Sequence, residues 1–313
     1  MARYGLRRLV ALVPIWLVIT FLAFLVAALS PGDPARTMLE RQGGERPTAA
    51  EVSRLRRELH LDEPVPLQYL RWVAGAVTGD LGTSYRGDPV LPTLRSRFAA
   101  SLRLALPALT LALAVAIPLG TLSAVRRGTL VDNSARAATL VTASVPSFLI
   151  GYLLIIVFSV RLHVLPASGT GSLNHLVLPT LTLAAGSTAS LSRLARSSLL
   201  DVLGDDYVRT ARAKGLPLRR VVVGHALANS LLPVVTMTGI RFARLLAGAA
   251  IVETVFSWPG IGRYVVESIN ERDYPAIQGA VLFTGTVFVV VNLAADLVCA
   301  RIDPRIQLAG EER

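Results

Sequence analysis

Polar and apolar positions alternate along this chain on a coarse scale, not a fine one. Six long apolar runs divide it, at residues 9–29, 104–125, 137–160, 177–198, 229–252 and 279–300. Each is near the ~20 residues a helix needs to cross ~30 Å of hydrocarbon. The pattern predicts an all-α membrane protein with six transmembrane helices. Between the first two runs the period shortens. Thr48-Ala49-Ala50-Glu51 has the spacing of a capping box, and Val52, Leu55 and Leu59 then recur on one helix face. Asp62-Glu63-Pro64 is expected to end that helix, and Leu67, Leu70, Val73 and Val77 to mark the apolar face of a second. Gly79-Asp80-Leu81-Gly82 reads as a turn. The expected organisation is an N-terminus and first span over 1–29, a helical insertion over 30–103, a membrane core over 104–306 and a short tail over 307–313.

Charge sets the expected orientation. The net charge of +11 comes from arginines at span ends and in loops, where topology accounts for them without nucleic acid. Arg3, Arg7 and Arg8, then Arg126, Arg127 and Arg136, then Arg209, Arg212, Lys214, Arg219 and Arg220 predict both termini and these loops in the cytoplasm. Segments 30–103, 161–176 and 253–278 then face outward. The ten basic residues of 30–98 are nearly balanced by nine acidic ones, and long loops cross whatever their charge. Arg3, Arg7 and Arg8 before an apolar run also suit a signal peptide, but the run is too long and five more spans follow, so a retained anchor is expected.

The spans carry Pro107, Pro118, Pro146, Pro179 and Pro233. The third and fourth add Thr139, Thr142, Ser144, Ser147, Thr180, Thr182, Ser187, Thr188 and Ser190. Such residues serve close helix packing, or the wall of a polar path through a moving bundle. Arg241 and Arg244 lie mid-way along the fifth span, three residues apart on one face. A guanidinium at that depth costs roughly 2.5–3.5 kcal/mol on insertion scales, so it faces a bundle interior or water. At that depth the chain offers no obvious acid: Asp296 is expected nearer the cytoplasmic end and Glu253 at the outer end. The two arginines either line a path and meet an anion such as a peptide carboxylate, or pair with acids on a partner chain.

Catalytic chemistry has few candidates. The only lysine, Lys214, precedes Gly215, so no P-loop is present, nor a His-Glu-x-x-His or Gly-x-Ser-x-Gly motif. His60, His163, His175 and His225 share no metal-ligand spacing. His163 and His175 do fall in one short outer loop, where they could brush a metal. The single Cys299 excludes an internal disulfide. An intramembrane enzyme would lack a nucleophile or metal centre. A membrane scaffold remains a second alternative, one that tolerates bulky replacements at Ala211 and Gly215.

The polar segment Asp206–Gly215, inside the loop 199–228, separates two apolar spans. Ala211 and Ala213 are small enough to seat a helix in a groove, Gly215 can end it with positive φ, and Arg209, Arg212 and Lys214 can pair with acids. The chain resembles the permeases of ATP-binding-cassette importers, more narrowly the B-type permeases of the dipeptide, oligopeptide and nickel family. The resemblance rests on Pro31-Gly32-Asp33-Pro34, Gly79 to Ser84, Tyr207 to Gly215, Glu253 to Arg263 and Asp303-Pro304-Arg305-Ile306. It implies a cytoplasmic coupling helix between the fourth and fifth spans, docked on an ATPase through Tyr207, Arg209, Thr210, Ala211, Ala213, Lys214, Gly215 and Leu216. Arg209-Thr210-Ala211 takes the place of the family's Glu-Ala-Ala, and His225-Ala226-Leu227-Ala228 lacks its final proline. The resemblance further implies a second homologous permease subunit, two ATPase subunits that hold ATP and Mg, and an extracytoplasmic solute-binding protein. Phe256, Trp258, Pro259 and Gly260 are then expected at a binding-protein contact or outer gate. Peptides are the expected cargo and nickel or a metal chelate the alternative, since paired arginines repel a bare divalent cation. No cofactor or metal is expected in this chain.

Overall fold

The computed structural model describes the backbone of residues 2–29, 32–43 and 47–302, and side chains over 13–26, 28–29, 32–41, 47–246 and 249–294. Pro31, the Asp303-Pro304-Arg305-Ile306 motif, the tail 307–313 and the side chains of Asp296 and Cys299 lie outside these residues. Regular structure among the described residues is helical. In chain order the helices are α1 (Ala2–Ala28), α2 (Pro34–Gly43), α3 (Ala49–Glu58), α4 (Val65–Thr78), α5 (Val90–Val125), α6 (Leu130–Ser144), α7 (Ser147–Leu154), α8 (Asn174–Leu203), α9 (Asp206–Ala213), α10 (Leu218–Val221), α11 (Leu227–Ser230), α12 (Leu232–Gly248), α13 (Ala250–Val255), α14 (Ile261–Asn270) and α15 (Tyr274–Ile302). π-Helical turns at Ile155–Arg161 and Val222–Ala226 extend α7 and α10.

Two compact units partition these elements. The first holds Met1–Ser101 and Pro259–Val290, the second Leu102–Trp258 and Val291–Arg313. In the first, Leu81, Val90, Leu94, Ile261, Ala280 and Leu282 form a core joined by Trp16, Trp72, Phe98 and Phe283. The predicted capping box is present: Thr48 Oγ1 accepts from Glu51 N–H, and the Glu51 carboxylate accepts from Thr48 N–H. That backbone hydrogen bond is the main cause holding the Glu51 carboxyl below its ordinary range. Helix α3 stops at Glu58, short of Asp62-Glu63-Pro64, because His60 turns left-handed at φ 56°. The apolar face expected on α4 also differs. Leu67, Leu70 and Val77 are exposed, and α4 instead packs Tyr69 and Trp72 on Phe21 and Phe24 of α1, Tyr69 OH lying 3.0 Å from Thr20 Oγ1. Two large rings with a polar tip bury more surface than the aliphatic stripe beside them.

In the second unit small residues face inward. On α5 the buried positions include Ala105, Ala108, Ala112 and Ala116 beside Leu104, while Leu106, Val115 and Leu122 point out. Hydrocarbon gives no reason to hide leucine, so close packing selects what lies between helices. Gly120 is the tightest point: a Cβ there would stand 2.6 Å from Ser192 O and 2.8 Å from Ala195 Cβ. One turn further along α5 comes an ion-paired knot. Asp132, almost fully buried, accepts from Ser123 Oγ (2.5 Å), Gly128 N–H (3.0 Å) and both Arg196 Nε and Nη2 (2.8 Å each). It ties α5, α6 and α8 together.

The third apolar run is not one rod. Residues Leu130–Ser144 and Ser147–Arg161 meet at 101°, broken at Val145-Pro146, where proline bars the preceding residue from helical geometry. The fifth bends by 47° between Leu218–Ser230 and Leu232–Leu246, at Leu231, with Pro233 in the first turn that follows. Each bent pair is apolar and long enough to span when taken together, and α5 and Tyr274–Ala294 are so individually. Helix α8 has the length, at 30 residues, but lies outside that set, because Thr180, Thr182, Ser187, Thr188, Ser190 and Ser192 dilute its apolar character.

Candidate coupling helix and transport path

Helix α9 is built to stand out from the bundle while staying fixed to it. Asp205 opens it in extended geometry, and its carbonyl accepts from Val208 and Arg209 N–H. Asp205 and Asp206 at one end and Arg212 and Lys214 at the other complement the helix dipole. The stop is a Schellman motif: Gly215 N–H donates to Arg212 O (2.9 Å), Leu216 N–H reaches toward Ala211 O (3.4 Å), and Gly215 sits at φ 80°. The hydrophobic contact of that motif is present too. Ala211 and Leu216 pack with buried Val208 against Ala124, Leu199, Val221, Val222 and Ala226.

The residues expected to couple therefore divide. Val208, Ala211 and Leu216 face inward and seat the helix on the ends of α5 and α8. Tyr207, Arg209, Thr210, Arg212, Ala213, Lys214 and Gly215 are exposed. Tyr207 OH accepts from Asn229 Nδ2 at 3.0 Å, and Arg209 lies 3.4 Å from Asp206, an exposed pair worth little by itself. The outer face is thus cationic, with a tyrosine and one small residue, on a helix whose displacement α5 and α8 must feel.

Arg241 is partly buried on α12 and Arg244 exposed one turn on. Arg241 Nε is buried without a hydrogen-bond partner. Both Arg244 and Arg193 of α8 fall within its electrostatic reach. Arg193 did not stand out in the sequence; its signal was a basic residue inside the serine-rich span. Of the span hydroxyls, Thr139, Ser144, Thr182 and Ser190 donate to carbonyls of their own helices.

Of the expected gate residues, Phe256, Trp258 and Gly260 are buried. The Phe256 ring lies where a side chain at Gly151 would meet it at 3.2 Å, and its carbonyl accepts from Gly169 N–H. Trp258 N–H donates to Glu253 O at 2.7 Å across the left-handed Ser257. Pro259 is half-buried, and Gly260 caps α14, whose Ile261 N–H donates to Ser101 Oγ at 2.9 Å.

Sequence reasoning missed Asp273, although Asp before Tyr274-Pro275 is a helix-start signal. Its carboxylate accepts from Ala276 N–H at the start of α15 (3.2 Å), from Tyr85 N–H (3.2 Å) and from Ser84 Oγ. Burial, reinforced by this carboxylate, pushes the Tyr85 phenol up. Arg41 and Arg86 both reach Glu271 beside it. His175, one of the two outer-loop histidines, has Nδ1 3.0 Å from Ser172 Oγ. Among the described residues no three His, Cys, Asp or Glu side chains converge as metal ligands.

The chain thus combines helices long and apolar enough to span a membrane with a cationic helix seated on the ends of α5 and α8. Residues 116–308 match the family described as binding-protein-dependent transport system inner membrane component, and residues 1–105 match its N-terminal membrane component. The chain belongs to this family and is a permease subunit of an ABC importer. It is 40% identical, over an alignment of 340 residues, to the dipeptide transport system permease protein DppB of Escherichia coli strain K12, covering 98% of this chain and 99% of that one. It is equally 40% identical over 308 residues to the glutathione transport system permease protein GsiC of Salmonella paratyphi A, with the same coverage. In three dimensions it is similar to inward-facing structures of the MetNI methionine ABC transporter. TM-scores are 0.58 and 0.55 at 17% and 19% identity, covering 69% of this chain and 98% of the other, a likeness of fold. Permeases of this family work with ATPase and permease partners and a binding protein, and carry no cofactor themselves.

Proposed function

We propose that the chain forms half of the translocation path of a di- or oligopeptide importer. The observation that carries this is near-full-length 40% identity to permeases named for dipeptide and glutathione transport. Six spans cross the inner membrane, with both termini cytoplasmic, α8 among the spans and the bent pairs each crossing once. Helices α2–α4 form an extracytoplasmic insertion that meets a solute-binding protein. The chain pairs with a second homologous permease and two ATPase subunits, which bind and hydrolyse ATP. Closure of the ATPases on ATP moves α9, docked through Tyr207, Arg209, Thr210, Ala213 and Lys214. The seat of Val208, Ala211 and Leu216 passes that motion to α5 and α8. The spans alternate between inward-open and outward-open states, because only one of them accommodates the ATP-bound partner. The buried turn of Phe256, Trp258, Pro259 and Gly260 acts as the outer gate, and the α8–α12 face lines the path.

Uptake of labelled dipeptide and labelled nickel, side by side, in cells with and without this chain and with its partners intact, tests the proposal. Loss of peptide uptake alone is expected. Loss of nickel uptake alone overturns the cargo.

A further inference from the structure

Helices α8 and α12 pack together, and among their exposed residues polar and cationic side chains stand beside the aliphatic Val177, Leu181, Val235 and Ile240. On α8 the outward residues include Gly186, Arg193 and Ser197, with half-buried Ser190 in the same row; spacings of four, three and four residues keep them on one side of the helix. On α12 Thr236 and Arg244 are exposed and Arg241 lies beside them. Three guanidiniums thus gather from two helices, Arg193 and Arg244 each within electrostatic reach of Arg241. Among the described residues no carboxylate pairs with any of them. One donor, Arg241 Nε, is already withdrawn from water with nothing to bond.

Like charges within electrostatic reach of one another repel more strongly in a low dielectric than in water, and each is costly within a span alone. Arg196, three residues from Arg193 on the same helix, shows what this chain does with an arginine meant for structure: it receives a buried bidentate carboxylate. Among the described residues Arg193, Arg241 and Arg244 receive none, which leaves their charge open to an arriving anion. Planar guanidiniums in a group suit a carboxylate, to which each can offer two parallel hydrogen bonds.

We propose that Arg193, Arg241 and Arg244 form an anion-receiving station on the path, which takes a carboxylate of the passing cargo and favours anionic over cationic peptides. This rests on the peptide-permease function above and adds a charge filter to it. The station must be loose as well as attractive, because cargo has to leave. Three partly exposed arginines meet that need better than one buried, fully satisfied site.

The test uses the complete complex, with partner permease, ATPases and binding protein, reconstituted in vesicles. Turnover of Ala-Glu, Ala-Ala and Ala-Lys is measured at saturating binding protein. The binding protein is common to all arms, so its own preferences cancel when variants are compared with wild type. The triple variant Arg193→Gln/Arg241→Gln/Arg244→Gln should lower the Ala-Glu to Ala-Lys ratio about tenfold, the loss of roughly one charge-assisted interaction. The matching Arg→Lys triple should retain most of the ratio. The milder Arg193→Gln alone should lower it in the same direction, covering the case in which the triple variant is poorly produced. An unchanged ratio with intact turnover overturns the station and leaves the permease standing. Loss of the partner permease on purification of the Gln variants, restored by Lys, assigns the arginines to partner acids and also overturns it. Failure of wild type to move any of the three peptides overturns the cargo class itself.

Discussion

Arg196 and Arg193 stand one turn apart on α8 and have opposite fates. Arg196 is locked on buried Asp132, which Ser123 and Gly128 also serve; Arg193 looks outward toward Arg241 and Arg244 with no counter-charge among the described residues. A cation paired inside its own chain holds helices together. A cation with no counter-charge among the described residues is, in the proposal above, kept for an anion that arrives. The two are separable by experiment, because removing a partner from the first exposes a buried charge, whereas removing the second relieves repulsion.

The sharpest way to break this contrast is Asp132→Ala, which turns Arg196 into another unpaired arginine. It should cause the largest fall in melting temperature of the detergent-solubilised complex among these changes, well beyond that of Arg196→Met. Gly120→Ala attacks the same junction by crowding, since its Cβ would meet Ser192 O at 2.6 Å. A loss of about 1–3 kcal/mol is expected in the same unfolding assay. Asp273→Ala tests whether a paired carboxylate in the other unit behaves like Asp132. It strips acceptors from Ser84, Tyr85 and Ala276 and should cost about 2 kcal/mol, with faster proteolysis of the 79–89 segment. Gly215→Val separates motion from stability. A β-branched residue at φ 80° costs roughly 1–2 kcal/mol locally, so binding-protein-stimulated ATPase activity should fall while the complex still assembles. The smallest effect belongs to Arg193→Ala, expected to change stability by no more than about 0.5 kcal/mol in the same unfolding assay.

Local chemistry was legible in the sequence, and so was the family. The Thr48–Glu51 capping box and the Gly215 stop each need only residues within one or two turns, and both are present. The packing face of α4 was not legible, because alternation marks where aliphatic residues repeat, while Tyr69 and Trp72 bury more. On α5 hydrophobicity alone does not mark the inside: Ala108, Ala112 and Ala116 are buried with Leu104, while Leu106 and Leu122 are exposed. Pro146 was visible as a proline but its 101° break was not, since a proline in a helix bends by an amount its neighbours set. Arg193 and Asp132 escaped notice because their meaning lies in residues 48 and 64 positions away, Arg241 and Arg196.

The same 64-residue separation has a consequence for how the protein is made. A ribosome adding about 5–20 residues per second produces Arg196 roughly 3–13 s after Asp132. For that interval the aspartate must wait near the membrane without its cation. The acceptors' other donors, Ser123 Oγ and Gly128 N–H, precede it in the chain by only nine and four residues and are already present when it emerges. The nascent chain can hold the carboxylate in a ready-made turn until α8 arrives. Loss of Ser123 should therefore show first as failed insertion of newly made chains, before any effect on the finished fold.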